Sequence, residues 1–181
     1  MKHPYYILFL IIYLFVGCTK KSHQIEEIGI IPAPLSQKIE KGVFILDENI
    51  HFISDNEVSD VLNYFESYLK ENYKFEFNAK EGTKKIVFKI DNSIKNEEGY
   101  LLKIQENTIL IRSKNSKGAF YAVQSLIQLL PIASNIDSIA VPCLEIYDEP
   151  QFKYRGMHLD VGRHFYSIDF IKKYIDLISR L

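Results

Sequence analysis

The 181-residue sequence has no tryptophan, only two cysteines, eight glycines and six prolines, and neither sign of charge prevails: 22 Lys and Arg face 23 Asp and Glu, a formal net charge of −1. Each shortage excludes something. So little glycine and proline rules out a fibrous repeat, and 47% hydrophobic residues make the chain too apolar to stay disordered. The near-neutral balance suggests no polyanionic partner, and no basic run interleaved with aromatics marks a nucleic-acid surface. No glycine-rich loop is built for phosphate. Asp160 and His164 stand at i, i+4, but no third ligand accompanies them, so neither a metal nor a cofactor is expected. The length suits one domain of common size plus a signal and a remnant, and falls short of two full enzyme domains.

Long apolar runs are also missing, with one exception at the start. Lys2 leads into the apolar segment Ile7 to Val16, which ends at Gly17-Cys18. At helical rise such a run reaches only about 15 Å, roughly half of a bilayer's hydrocarbon core, so residues 1–17 read as a signal peptide rather than a membrane span. A small residue followed by cysteine resembles the lipobox of bacterial lipoproteins. That resemblance implies that Cys18 is lipidated, that the protein is exported, and that it is anchored to a bacterial membrane at the periplasmic face or the cell surface. Cys143 would then be the only thiol left, a small core residue without a disulfide partner.

Residues 18–29 are polar and aperiodic, as a tether would be. Order is expected from about Ile30. Ile31-Pro32-Ala33-Pro34 should run extended, Val43–Leu46 and Ile50–Ile53 read as short strands, and Asp55 or Asn56 can cap the helix that follows. Val58, Val61, Leu62, Phe65, Tyr68 and Leu69 recur at helical spacing, which predicts an amphipathic helix of four turns. From Lys84 the period drops to two, predicting strands around Ile86–Ile90, Tyr100–Ile104 and Ile109–Ile111, the last two joined at Glu106-Asn107 as an antiparallel hairpin. Ser116 offers an N-cap to a second helix bearing Phe120, Val123, Ile127 and Leu130, and Ile139–Ile146 reads as a last strand. Strands in a run with helices before and after argue an α+β domain over residues 30–148, an antiparallel-rich sheet carrying two helices. Pro150 marks a boundary, and residues 149–181 predict a strand at Tyr154–Asp160 and a helix at Ile168–Leu181.

The stretch Tyr147-Asp148-Glu149-Pro150-Gln151-Phe152-Lys153-Tyr154-Arg155-Gly156-Met157-His158-Leu159-Asp160-Val161-Gly162-Arg163-His164-Phe165-Tyr166 resembles the entry into the catalytic (β/α)₈ barrel of glycoside hydrolase family 20, the β-N-acetylhexosaminidases, with its D-x-P-x-F-x-x-R-G-x-x-L-D-x-x-R-H pattern. Upstream, Glu98-Gly99-Tyr100 through Gln128 is similar to the strand, strand and helix of that family's leading α+β domain. The resemblance covers roughly residues 30–181 and implies that residues 149–181 are the first β/α unit of an incomplete TIM barrel, which needs about 250 residues in all. It further implies an exo-acting hydrolase of terminal N-acetylglucosamine or N-acetylgalactosamine, acting on amino-sugar glycans or chitooligosaccharides. In that family the substrate's acetamide is the nucleophile, an adjacent Glu protonates the leaving oxygen and its Asp neighbour orients the acetamide.

Beyond residue 150 the acids are Asp160, Asp169 and Asp176, none of them beside a glutamate, so no catalytic residue is expected in this chain and the chain alone is expected to be inactive. Arg155 matches the family's arginine that hydrogen-bonds hydroxyls of the terminal sugar, a task suited to a planar fork of donors; the alternative is a structural ion pair at the domain boundary. Asp160, Arg163 and His164 are expected as supporting residues around the site, or else as a loop stabilised by local ion pairing. Two other readings stay open: a glycosidase of another family with a similar leading domain, and a lipoprotein that uses the α+β domain for binding or scaffolding.

Overall fold

Period-two segments pair into one sheet whose strands run β1 (Ser36–Leu46), β2 (Ile50–Ser54), β3 (Lys84–Ile90), β4 (Tyr100–Gln105), β5 (Thr108–Ser113) and β6 (Ile139–Asp148) along the chain. The computed structural model describes residues 28–77, 83–132 and 136–180. Across the sheet the order is β1-β6-β4-β5-β3-β2. The hairpin at Glu106-Asn107 forms as expected, with Gln105 opposite Thr108.

The sheet is mixed: β1/β6, β4/β5 and β4/β6 are antiparallel, but β2/β3 and β3/β5 are parallel. Three of the five pairings are thus antiparallel, in line with an antiparallel-rich sheet; the parallel ones at one side arise because the helix between β2 and β3 carries the chain back to the end where it started. The first strand also begins earlier than its apolar residues suggested. Ser36–Lys41 is polar because it lies on an edge strand, and the pairing with β6 slips between Ile39 and Val43, where Gly42 adopts a φ of 103°.

Two helices cover one face. α1 (Ser59–Tyr73) follows a single 3₁₀ turn at Asn56–Val58, and α2 (Ser116–Gln128) follows Asn115, whose side chain accepts the Lys117 N–H and so caps the helix one residue before the expected Ser116. Asp55 sits at the start of the 3₁₀ turn but gives its carboxylate to the Ile90 N–H instead, tying helix entry to β3. Phe65 and Leu69 of α1, with Ala122, Val123 and Leu126 of α2, are buried against Phe44, Phe88, Leu102, Ile104, Ile111 and Leu144 of the sheet. Gly118 is what lets α2 lie so near: a Cβ there would come within 2.2 Å of the Gly99 carbonyl oxygen. Cys143 is buried in β6, as expected of a small core residue, and burial raises its thiol pKa.

The chain after β6 behaves differently. Residues 149–167 contain no strand, so the one expected at Tyr154–Asp160 is not formed, while the expected helix is present as α3 (Ile168–Ile178). A barrel strand is held by ladders to its neighbours and by helices over it, and no strand among the described residues stands beside this one. Its apolar side chains lie open: Tyr154 is 91% and Phe165 95% exposed, and α3 buries no residue. The signal, most of the tether and Cys18 lie outside the described residues. Within those residues no helix is long and apolar enough to cross a membrane.

Candidate functional site

At the end of β6 the chain leaves the sheet and turns back over the rim of the α+β domain, and Arg155 comes to rest there. One of its terminal nitrogens, Nη1, donates to Glu98 Oε2 at 3.2 Å and to the Phe152 carbonyl at 2.6 Å; the other, Nη2, donates to Tyr121 Oη at 2.9 Å. The guanidinium carbon also lies 5.5 Å from the centre of the Tyr121 ring, within cation–π range. Burial alone would lower the arginine's pKa, but the hydrogen bonds to Glu98 and Tyr121 outweigh it and hold the value above the ordinary one. An arginine offers five N–H donors, and these bonds use three, leaving the Nε–H and one N–H of Nη2 on adjacent nitrogens.

Beside Arg155 opens a cleft of about 300 Å³, lined among others by Pro32, Tyr100, Gln124, Asp148 and Phe152. Its floor is a polar cluster. The Tyr100 and Ser125 hydroxyls are 2.6 Å apart, and Asp148 Oδ1 accepts the Leu35 N–H at 3.1 Å, pinning the Ile31–Leu35 segment to the end of β6. Burial raises the Asp148 pKa despite its hydrogen bonds, and raises that of Tyr100 above the tyrosine range. Gln128 closes the far side by bonding both the N–H and the carbonyl of Ile31.

The other expected site residues are not gathered here. Asp160 Oδ2 lies 2.6 Å from Arg163 Nε, and its other oxygen accepts the N–H groups of Gly162 and Arg163, a self-contained turn whose hydrogen bonds hold the Asp160 pKa down. His164 is exposed, and no hydrogen bond joins any of the three to Arg155 among the described residues. An adjacent Asp-Glu pair does exist at 148–149, but its members face apart: Asp148 inward to Leu35, Glu149 outward to the Tyr147 hydroxyl. Among the described residues no group of three or more His, Cys, Asp or Glu could hold a metal. Glu98 and Tyr121 were not legible as site residues, since they stand 57 and 34 positions from Arg155 and no local spacing joins them. The one available signal was that both fall inside the upstream segment that resembles the hydrolase family.

Comparison with known proteins agrees with that resemblance. The profile for glycosyl hydrolase family 20, domain 2, matches residues 27–149, and the profile for the family's catalytic domain matches residues 152–181. A β-hexosaminidase of Porphyromonas gingivalis is 32% identical over 181 residues, covering 91% of this chain and 23% of the relative; an N,N'-diacetylchitobiase of Vibrio harveyi is 43% identical over 80 residues, 44% of this chain and 9% of the relative. Among solved structures, a GH20 exo β-N-acetylglucosaminidase from Vibrio harveyi in complex with N-acetylglucosamine superposes with a TM-score of 0.74 at 29% identity, covering 83% of this chain and 24% of that one. A β-N-acetylhexosaminidase from Bacteroides fragilis gives 0.67 at 26% identity, covering 83% and 31%. The chain spans 23% and 17% of the first two curated relatives, less than a quarter of either.

Proposed function

The chain belongs to glycosyl hydrolase family 20, and from that premise we propose that it is the front part of an exo-acting β-N-acetylhexosaminidase that removes terminal N-acetylglucosamine or N-acetylgalactosamine. The observation that carries the reading is the match to the family's catalytic domain over residues 152–181, which includes Arg155. That side chain is read as the grip on the terminal sugar's hydroxyls, through the N–H groups it does not give to Glu98, Tyr121 and Phe152; its ion pair with Glu98 favours the second reading, a structural arginine at the domain boundary. Chemistry then falls to residues further along the barrel. The acetamide of the substrate attacks its own anomeric carbon with retention, assisted by an Asp-Glu pair that this chain does not supply after residue 150. Amino-sugar glycans or chitooligosaccharides are the substrates, in keeping with the chitobiase and the N-acetylglucosamine complex among its relatives.

In the complete barrel residues 149–181 would supply the first β/α unit, of which the helix α3 is formed here, and Asp160 pairs with Arg163 in the turn ahead of that helix, with His164 next in sequence. Acylation of Cys18 would hold the enzyme at the membrane of an exporting bacterium. A direct test sets the full-length protein on a chromogenic N-acetyl-β-glucosaminide and on the matching β-glucoside. The first is cleaved and the second is not, since only the first carries the internal nucleophile; equal cleavage of both would rule out the substrate-assisted route.

A further inference from the structure

We propose that the cleft at the end of β6 is the seat of a lysine or arginine presented by the remainder of the catalytic domain, with the Asp148 carboxylate as the acceptor of that cation. The proposal rests on the reading of this chain as the front part of a longer enzyme, and it deepens that reading by naming one contact that joins the two domains. The cleft opens where β6 ends at Asp148, and its wall includes Phe152, the residue at which the match to the catalytic domain begins. Three carboxylates line it, those of Glu98, Asp148 and Glu149, against two cations, Arg155 and Arg180. Both cations are already committed. Arg155 pairs with Glu98 at 3.2 Å, and Arg180 pairs with Asp176 of α3 at 2.6 Å.

Asp148 is the acid left short of donors. Its Oδ1 accepts the Leu35 N–H at 3.1 Å, whereas Oδ2 has only the Tyr100 hydroxyl at 3.5 Å, and that hydroxyl lies 2.6 Å from Ser125 Oγ. A carboxylate ordinarily draws an O–H donor to about 2.5–2.7 Å, so the contact at Oδ2 is a weak one. Glu149 has turned away to the Tyr147 hydroxyl. A second acceptor stands in the same cleft: Gln124 is 4% exposed, its Nε2 donates to Tyr64 Oη at 3.3 Å, and its Oε1 takes no hydrogen bond among the described residues. The groups that face the Asp148 carboxylate are thus the N–H groups of Leu35 and Glu149, the Tyr100 hydroxyl and the like charge of Glu149, with no cation among them. Burial is the largest cause of its raised pKa, and Glu149 adds to it. An ammonium or guanidinium carries several N–H donors and no acceptor, so one such group can serve both waiting oxygens and supply the missing charge.

The experiment compares the 181-residue chain with the full-length enzyme, each as parent and as Asp148→Asn, by thermal melts across pH. In the chain no cation meets the carboxylate, so the Asn variant gains on its parent as pH rises above the unfolded carboxylate value. In the full-length enzyme the cation pulls the pKa of Asp148 below its unfolded value. The Asn variant then falls behind its parent as pH rises up to that value, stays behind at higher pH, and shows no gain there. Carbodiimide coupling to a glycine ester, read by mass spectrometry on the unsubstituted proteins, gives a second measure: Asp148 is modified in the chain and protected in the full-length enzyme. A full-length Asn variant that gains with pH as the chain's does, or equal modification of Asp148 in both proteins, would overturn the proposal. Hydrolysis of a chromogenic N-acetyl-β-glucosaminide by the parent enzyme is followed alongside. Its absence would overturn the hexosaminidase reading, whereas the melts and the labelling decide the cation's seat on their own.

Discussion

At the scale of single residues, the site is a case of sequence distance concealing spatial contact. Arg155 could be singled out from its Arg-Gly context, but its ion pair with Glu98 and its hydrogen bond to Tyr121 join segments that only the fold brings together. Asp160 and Arg163 could be read as a local ion pair because they stand three residues apart, and the carboxylate does meet Arg163 Nε at 2.6 Å; its further bonds to the Gly162 and Arg163 N–H groups were not foreseen. Asp148 gives the sharpest prediction at this scale. Burial raises its pKa above the usual 3.8, so the folded chain holds the proton more tightly than the unfolded one. Its contribution to stability is therefore full below the unfolded value and is lost as pH rises through the raised folded value. Asp91, Glu97 and Asp160, whose pKa values are lowered, contribute in the opposite sense, losing stability as pH falls. Asp148→Asn keeps an oxygen to accept the Leu35 N–H and removes the ionisation. Thermal melts of the two proteins should show the Asn variant gaining relative to its parent as pH rises above the unfolded carboxylate value; a difference that is flat with pH would contradict this account.

At the scale of elements, periodicity located five of the six strands and both helices of the α+β domain nearly to their ends, because most of them have one face buried and one face wet, although β3 buries Ile86, Val87 and Phe88 in succession. What it could not give was strand direction. Parallel pairing of β2 with β3 and β3 with β5 follows from where the connections run, and short apolar segments look alike in either sense. The close seat of α2 was equally hidden, since a glycine inside a helix reads as a mild liability until the Gly99 carbonyl is seen beneath it. Gly118→Ala should cost about 1–3 kcal/mol despite alanine's better helix propensity, because the added carbon meets backbone that cannot rotate away. Asn115→Ala should cost about 1 kcal/mol by uncapping the same helix. Chemical denaturation measures both, and a stabilised Gly118→Ala variant would show that helix and strand are free to separate.

At the scale of the whole molecule, two regions of unlike character share one chain. Residues up to Asp148 close a core over one face of the sheet, whereas the stretch from Tyr154 through α3 leaves Met157, Phe165 and Ile168 in contact with solvent. Sequence alone identified the second region by its motif but gave it a strand, since a barrel strand's pattern is written in its residues while its existence depends on neighbours. Lipid attachment belongs to this scale as well: labelled fatty acid supplied to an expressing bacterium should be incorporated into the protein and lost on Cys18→Ser, and equal labelling of that variant would rule out the anchor. The proposed function is a division of labour, in which this chain supplies the family's leading domain and the first part of its catalytic domain while the proton donor and the acetamide-orienting acid come from the rest of the full-length protein. It is tested most directly by offering the purified 181-residue chain a chromogenic N-acetyl-β-glucosaminide beside the full-length enzyme. The full-length protein turns it over and the chain alone does not; turnover by the chain alone would contradict the account.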